Sequence, residues 1–230
     1  MTAKLTYFAS RGRAETTRWM LAACGIPFEN VGLSQPDQLE ALRASGKLPF
    51  DQLPLLELDG ARYSQTSAMI RILARRGDLY GDGDAERAQI DMIAGVAADF
   101  VEPAIGWSFQ PSAEAARAGL DRTLGKFGPR FEALLSDGRQ HIAAGRMSLA
   151  DVVLAEATTH FRERDGAILD PFPLLAAHQA RIYAHPGIAA YLASPLRWPL
   201  IDDDGVVMIA RVLRRALPPH FPDPDRFVST

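Results

Sequence analysis

The chain has 230 residues, of which 47% are hydrophobic and 23% charged, as in ordinary soluble globular proteins of one large or two small domains. Its formal net charge of -3 argues against general nucleic-acid binding, which needs a basic surface. The single cysteine, Cys24, rules out an internal disulfide, and the sequence has neither a membrane-spanning apolar run nor a signal-peptide core, so we expect a cytoplasmic protein without membrane contacts.

Strand and helix patterns alternate over the first 76 residues, which is typical of an α/β domain. A hairpin with an Asp59-Gly60 turn follows the first two strand and helix pairs and precedes a third helix. The predicted elements are strands over residues 4–8 and 28–33 and helices over residues 14–23, 35–44 and 66–76.

Residues 77–84 contain three glycines and three aspartates, a composition that predicts a linker. The patterns beyond it are helical, with a kink expected at Pro103 and a proline-rich tail from Pro218. We therefore predict an α/β domain over residues 1–79 and an all-helical domain over residues 85–230.

One local pattern in the second domain is specific for a helix start. Ser148 is followed three residues later by Asp151, the arrangement of a capping box, and Met147 and Val152 occupy the flanking apolar positions. This pattern indicates structure rather than chemistry.

The segment from the hairpin to the third helix is the strongest indication of a ligand site. Gln65 and Thr66 lie at a helix N-terminus, where amides and a hydroxyl can bind a carboxylate, and Leu53-Pro54 lies close by in the sequence. The same residues also fit an ordinary hairpin followed by a capped helix.

Six segments in order carry a family resemblance that runs from residue 4 to about residue 196. They are residues 5–15, 47–54, 64–70, 78–92, 147–152 and 185–195. Together they resemble the cytosolic glutathione transferases, with the alpha and sigma classes of the tyrosine type nearest. The resemblance implies a thioredoxin-like N-terminal domain, an all-helical C-terminal domain, a homodimer, and glutathione as co-substrate without a metal.

Tyr7 and Arg13 are the catalytic residues that the resemblance implies. Tyr7 ends the first strand, where ligands of α/β sheets collect, and its phenol could donate a hydrogen bond that favours a thiolate. The alternative is a buried strand tyrosine. Arg13 is a cation at a helix start, which calls for an anionic partner, and Glu15 or Glu57 could be that partner. We expect Arg11 in solvent or at the pocket rim.

The glutathione-binding residues follow from the resemblance residue by residue. Gln52 and the main chain of Leu53, before Pro54, would hold the cysteinyl part like an added strand. Gln65 and Thr66 would hold the γ-glutamyl end, Thr66 through its hydroxyl and its amide. Either Arg43 or Lys47 would meet the glycine carboxylate.

The resemblance also implies contacts between two subunits. Asp99 would reach the γ-glutamyl ammonium of glutathione bound to the partner, although a carboxylate on a helix face is the simpler interpretation. Phe50 would insert between helices of the partner, next to the first C-terminal helices, and Lys126 would lie at the same interface.

The pocket for the second, hydrophobic substrate is harder to predict. Phe8, Trp107, Phe109, Met208 and Phe221 could line it, or could belong to the ordinary core. The sequence does not identify the electrophile.

We expect an enzyme that activates glutathione as a thiolate and conjugates it, with isomerisation or peroxide reduction as possible related activities. The rival is a non-catalytic binding or structural protein on the same fold. Ser10 is the fallback hydroxyl if Tyr7 is not the thiolate donor. Cys24 follows an apolar helix end, and the histidines show no metal spacing, so we predict no metal site.

Overall fold

The structure is a computed structural model that describes residues 3–221. Its N-terminal region contains one sheet in the order β2-β1-β3-β4, in which β1 pairs parallel with β2 and antiparallel with β3, and β3 pairs antiparallel with β4. The strands are β1 (Ala3–Phe8), β2 (Phe28–Leu33), β3 (Leu55–Leu58) and β4 (Ala61–Ser64).

Helices connect strands in the N-terminal region, and the described chain after the last strand is mainly helical. Short 3-10 segments precede α1 at Gly12–Ala14 and follow α4 at Trp107–Phe109. The helices are α1 (Glu15–Ala23), α2 (Pro36–Ala44), α3 (Thr66–Arg76), α4 (Asp84–Ile105), α5 (Ala113–Leu135), α6 (Leu149–Arg164), α7 (Pro173–Tyr183), α8 (Pro186–Leu192) and α9 (Asp203–Leu213). The predicted fold class, a thioredoxin-like domain followed by helices, is confirmed.

The core of the helical region forms around α6, whose first 13 residues are all buried. Phe161 of α6 stacks on Phe100 of α4 with ring centroids 4.4 Å apart, and Phe131 of α5 meets Phe100 edge-on. Truncating a buried phenylalanine of this kind to alanine typically costs about 3–5 kcal/mol. This packing fixes α4, which carries one wall of the site described below.

The predicted capping box at α6 is present and is part of a larger buried network. The Ser148 backbone N–H donates to Asp151 Oδ2 at 2.8 Å, and Asp151 also accepts from the Ile142 N–H and from His178 Nε2. Burial alone would raise the pKa of Asp151, but the neighbouring His141 side chain and the hydrogen bond with His178 hold it below its usual range. One carboxylate therefore ties the α5–α6 connection to α6 and α7.

The predicted linker is not a free connection. Leu79 and Tyr80 are buried, and the Leu149 N–H donates to the Leu79 carbonyl at 2.7 Å. The glycines and aspartates around them remain mostly exposed. Of the predicted proline-rich tail, residues 218–221 are described, and residues 222–230 lie outside the described residues.

Candidate active site

Tyr7 lies near the carboxyl end of β1 and is only 8% exposed. The loop after β1 passes directly over its ring, because Gly12 has φ +42°, and a Cβ built there would lie 2.7 Å from Tyr7 Cε1 and 2.8 Å from its hydroxyl. Glycine is therefore required at position 12 both for the backbone conformation and for the space around the phenol.

The Tyr7 hydroxyl is available as a donor. Burial raises the pKa of Tyr7 above its usual value, and the positive charges of Arg13 and Arg18 oppose that rise. The Arg13 backbone N–H donates to the hydroxyl oxygen at 3.4 Å. The phenol thus remains protonated at neutral pH, and within residues 3–221 its hydroxyl receives one hydrogen bond and donates none.

Arg13 pairs with a residue that the sequence did not suggest. Its guanidinium forms two bonds with Glu102 of α4, at 2.5 and 3.0 Å. The predicted partners are engaged elsewhere, because Glu15 pairs with Arg18 and Glu57 pairs with Lys47. The predicted pairing of Arg13 with Glu15 or Glu57 is therefore wrong in this structure.

Arg18 and Glu15 form a buried ion pair beneath the loop, with 3.1 Å between Arg18 Nη1 and Glu15 Oε2. Arg18 also donates to the carbonyls of Ser10 and Arg11, at 3.2 Å each. Tyr191 of α8 donates to both carboxylate oxygens of Glu15. Sequence reasoning missed this network, because a charged helix face gives no sign of burial before the packing of α8 is known.

Arg11 is another residue whose placement differs from the prediction. It is only 7% exposed, its Nε donates to the Trp198 carbonyl, and its guanidinium pairs with Glu163. It lies in the interior and not at a pocket rim or in solvent, because Trp198 and Glu163 surround it.

The turn before α3 brings Gln52, Gln65 and Thr66 together. Gln65 Nε2 donates to Gln52 Oε1 at 2.7 Å, and the Thr66 hydroxyl donates to the Arg13 carbonyl at 2.9 Å. Gln65 has φ 67°, and the Leu53–Pro54 peptide bond is cis. The Thr66 hydroxyl therefore links the turn to the loop that follows Tyr7.

These residues line a single cleft of about 780 Å³, within the usual size range of small-molecule sites. Lys47 does not line it, whereas Arg43 does, with its Nε 2.6 Å from Asp51 Oδ1. The lining residues are Tyr7, Phe8, Arg13, Leu39, Arg43, Phe50, Asp51, Gln52, Leu53, Pro54, Gln65, Thr66, Ser67, Ala98, Leu213 and Arg215.

Arg215 is a cleft residue that sequence reasoning did not single out for this role. It follows α9 directly after Arg214, which has φ 50° and pairs with Glu40 of α2. Arg13 and Arg43 are both paired, but Arg215 forms no ion pair with another residue in the range 3–221. In the sequence, Arg215 appears only as one member of a cluster of arginines near the end of the last helix.

A second, smaller cavity of about 300 Å³ meets the cleft at Tyr7, Phe8 and Arg13. It is lined on its other sides largely by apolar side chains. The lining residues are Tyr7, Phe8, Ser10, Gly12, Arg13, Glu102, Ile105, Gly106, Phe109, Gln110, Ile201 and Ile209.

The predicted electrophile residues divide between this cavity and other places. Phe8 and Phe109 line it, but Trp107 and Met208 do not. Trp107 faces Arg164, whose guanidinium carbon lies 5.2 Å from the ring centroid, and Phe221 lines a separate cavity with Trp107. Met208 is half-buried and packs against the core.

Asp99 and Phe50 take no internal role in the described chain. Asp99 is exposed on α4 and makes no hydrogen bond or ion pair with another described residue. Phe50 is 70% exposed, an unusual state for a large aromatic side chain. Lys126 points along α5, over the ring of Phe127.

Within residues 3–221 there is no group of three or more His, Cys, Asp or Glu side chains that could hold a metal ion. No helix in the same range has the length and apolar character needed to cross a membrane. Burial raises the pKa of Cys24 to about 12, so this thiol stays protonated at neutral pH.

Two family matches cover most of the chain. Residues 3–75 match the family described as glutathione S-transferase, N-terminal domain, and residues 98–195 match glutathione S-transferase, C-terminal domain. Together they include β1, the turn before α3 and the last third of α4, which contribute to the cleft and the small cavity.

Similar proteins and structures agree with these matches. The chain is 39% identical over 193 residues to glutathione S-transferase A1 of Mus musculus, covering 82% of this chain and 86% of that protein. It is 37% identical over 215 residues to glutathione S-transferase 3 of Gallus gallus, covering 91% and 94%.

Two solved structures share the fold at lower identity. The glutathione S-transferase of Ascaris lumbricoides superposes with a TM-score of 0.70 at 28% identity, covering 84% of this chain and 97% of that one. Monomeric Na-GST-3 of Necator americanus superposes with a TM-score of 0.74 at 26% identity, covering 84% and 96%.

Proposed function

The chain belongs to the glutathione S-transferase family, and we propose that it binds glutathione in the cleft and adds its sulfur to an apolar electrophile in the adjoining pocket. The observation that carries this proposal is the position of Tyr7, whose side chain lines both cavities. A thiol held at that junction would touch the phenol on one side and the second substrate on the other.

Glutathione would lie in the cleft with its sulfur at Tyr7. Its γ-glutamyl end would meet Gln65 and Thr66, where the N-terminus of α3 favours a carboxylate. The main chain of Leu53 would pair with the cysteinyl part, beside Gln52. The hydrogen bond between Gln52 and Gln65 already holds the two sides of this turn in register.

The glycine carboxylate would then lie at the opposite end of the cleft, near Arg43 and Arg215. Arg43 shares its charge with Asp51. Arg215 is the cation lining the cleft that has no acidic partner among residues 3–221. We therefore assign the glycine carboxylate to both arginines and not to Lys47, which does not line the cleft and pairs with Glu57.

Activating the thiol requires more than one interaction. A free thiol has a pKa of ~8.5, and lowering it by about two units requires about 2.7 kcal/mol. A single neutral hydrogen bond contributes only ~0.5–1.5 kcal/mol net. The Tyr7 hydroxyl would supply one such bond, and the positive charge of Arg13 and the start of α1 would supply the remainder.

A homodimer is the assembly that would provide contacts for both Phe50 and Asp99. Phe50 combines high exposure with a place at the cleft rim, and Asp99 has no partner within the described chain. In a dimer, Phe50 would bury its ring against helices of the other subunit, and Asp99 would reach the partner's glutathione. The relative from Necator americanus is described as monomeric, so the assembly of this chain has to be measured.

Conjugation is preferred to the rival, a non-catalytic binding protein. The relatives named above are called glutathione S-transferases, and a buried phenol with a free proton at the junction of two cavities serves no purpose in a simple scaffold. Isomerisation or peroxide reduction would use the same thiolate, and these activities remain further candidates.

The test is glutathione binding by calorimetry, with thiolate absorbance of the complex recorded across pH. The proposal predicts binding and a thiol pKa in the complex that lies about two units below that of free glutathione. Binding without a lowered thiol pKa would instead support the non-catalytic rival.

A further inference from the structure

We infer that Ser10 is a specificity-determining residue, whose hydroxyl donates a hydrogen bond to an oxygen atom of the second substrate. The electrophiles preferred by the small pocket are then those whose reacting carbon is conjugated to a carbonyl group. This inference rests on the proposed function and concerns which electrophile the same site accepts.

The Ser10 hydroxyl is buried and has no partner. The residue is 4% exposed, and its Oγ makes no hydrogen bond with any other described residue. Buried hydroxyls nearly always have a partner, because leaving one unpaired is unfavourable. The missing partner at this position is therefore expected from a molecule that enters the pocket.

The backbone of Ser10 is fixed on both sides. Its N–H donates to the Phe8 carbonyl at 2.6 Å, and its own carbonyl accepts from Arg18 Nη2 at 3.2 Å. Arg18 is fully buried and is itself held by Glu15. The backbone that carries the hydroxyl is therefore held in place before a substrate enters.

Ser10 lines the small pocket but not the glutathione cleft, whereas Tyr7 lines both. This difference places Ser10 on the side of the second substrate and not beside the sulfur. It also removes the ground for the sequence-based fallback, in which Ser10 would replace Tyr7 as the thiolate donor.

The surroundings of Ser10 favour a neutral oxygen acceptor. Phe8, Phe109, Ile105, Ile201 and Ile209 form apolar walls around the pocket. The two charged lining residues, Arg13 and Glu102, are paired with each other. The uncharged donors of the lining are Ser10, Tyr7 and Gln110. Uncharged donors among apolar walls suit a carbonyl oxygen on an apolar body better than they suit an anion.

The hydrogen bond would grow stronger during the reaction. The thiolate electron pair forms a carbon–sulfur bond at the β carbon, and the carbon–carbon π pair shifts to give an enolate with negative charge on the oxygen. Ser10 donates to that oxygen throughout. The α carbon then takes a proton from water, and the hydroxide that remains neutralises the proton released earlier by the thiol. No atom or electron is left over.

The experiment compares two substrates with the same aromatic body in the full chain. One is trans-4-phenyl-3-buten-2-one, a conjugated ketone, and the other is benzyl chloride, which has no oxygen. We expect Ser10→Ala to lower the ratio of kcat/KM for the ketone to that for the chloride by about tenfold. Ser136→Ala, which removes an exposed hydroxyl that lines neither cavity, should leave this ratio within about twofold of the wild-type ratio.

A second measurement does not depend on the chemical step. The saturated ketone 4-phenyl-2-butanone cannot react, and it should inhibit conjugation of benzyl chloride about fivefold less well in Ser10→Ala than in the wild type. Thermal melting and glutathione affinity of the variant establish that its fold and its first site are intact.

The experiment distinguishes a failure of the role inferred for Ser10 from a failure of the proposed function. An active Ser10→Ala enzyme with an unchanged ratio and unchanged inhibition would overturn the role of Ser10 and leave the proposed function standing. A wild-type chain that binds glutathione but conjugates neither compound would overturn both.

Discussion

Arg13, on the loop that follows Tyr7, and Glu102 of α4 form a two-bond ion pair at the junction of the two cavities. The pair connects the glutathione-binding region with the first helix of the helical region. Both side chains are about half exposed, and ion pairs of this kind contribute only ~0–1 kcal/mol. Arg13 can therefore change partner when an anion arrives beside Tyr7.

The first prediction concerns Glu102. Its negative charge raises the pKa of Tyr7, and it should likewise raise the pKa of a thiol bound beside Tyr7, because both groups become negative when they lose a proton. Glu102→Gln should therefore move the pH dependence of kcat/KM toward lower pH, by about half a unit.

The measurement is the pH–rate profile with chlorodinitrobenzene. Asp121→Asn is the matched control, since it removes an exposed carboxylate of α5 that lines neither cavity. A shift of the Glu102→Gln profile toward higher pH would show that Glu102 positions Arg13 productively and does not merely neutralise it.

A second prediction concerns the glycine end of glutathione. Arg215→Gln should weaken glutathione binding by about tenfold, because a charge-assisted hydrogen bond contributes ~1.5–3 kcal/mol. The loss should disappear when the ligand is the glycine ethyl ester of glutathione, which has no charged carboxylate there.

Arg214→Gln is the control for Arg215→Gln. Arg214 is the neighbouring arginine, it pairs with Glu40 on α2, and it does not line the cleft. Calorimetry of Arg215→Gln and Arg214→Gln, each with glutathione and with its ester, tests whether Arg215 binds the glycine carboxylate. Equal losses with glutathione and its ester would place Arg215 elsewhere than at the glycine carboxylate.

Third, Gln65→Ala and Thr66→Ala should weaken glutathione more than they slow the reaction of the bound thiolate. In the proposed binding mode these residues would hold a part of the ligand that does not react, so their contacts would be equal in the ground state and the transition state. Thr66→Val is the sharper variant, because it keeps the shape of the side chain and removes only the hydroxyl that bonds the Arg13 carbonyl.

Steady-state kinetics at saturating glutathione provide the check. If kcat falls as much as the affinity does, the link from Thr66 to the Tyr7 loop positions the sulfur as well as the ligand.

Much of this architecture could be predicted because it depends on local signals. The strands, the helix that begins at Thr66 and the capping box of Ser148 and Asp151 all follow from periodicity, turn residues and caps, and each lies close to its predicted position. The residues of the cleft were predicted from the resemblance to glutathione transferases, because no local sequence pattern specifies that Gln52 and Gln65 face each other.

What could not be predicted depends on contacts between distant segments. The partner of Arg13 is 89 positions away, and the burial of Arg18 and Glu15 is completed by Tyr191, 176 positions beyond Glu15. The free hydroxyl of Ser10 and the free charge of Arg215 are properties of the packed structure, because each is defined by which partners are not within reach among the described residues.

The fourth prediction links the site to assembly. Phe50→Ala should give a monomer in sizing experiments, because truncation of an aromatic anchor at an interface costs several kcal/mol. Glutathione affinity should fall with it, although Tyr7, Gln65 and Thr66 are unchanged. Asp99→Asn should leave the dimer intact and weaken binding only.

Leu174→Ala is a suitable control for Phe50→Ala, because Leu174 is also an exposed apolar residue, at 40%, and lies outside both cavities. A Phe50→Ala chain that remains dimeric, or a monomer that binds glutathione as tightly as the parent, would contradict a shared active site.

The central claim is that the Tyr7 hydroxyl stabilises the glutathione thiolate, and the most direct measurement is thiolate absorbance of the glutathione complex across pH in Tyr7→Phe. Removing only the hydroxyl should raise the thiol pKa by about one unit. This change lowers the thiolate fraction, and with it chlorodinitrobenzene conjugation, by about threefold at neutral pH, with glutathione affinity nearly unchanged. Tyr63 lies on β4 outside both cavities, so the control variant Tyr63→Phe should change neither the thiol pKa nor the rate of conjugation. A Tyr7→Phe complex with the wild-type thiol pKa and the wild-type turnover would contradict the account.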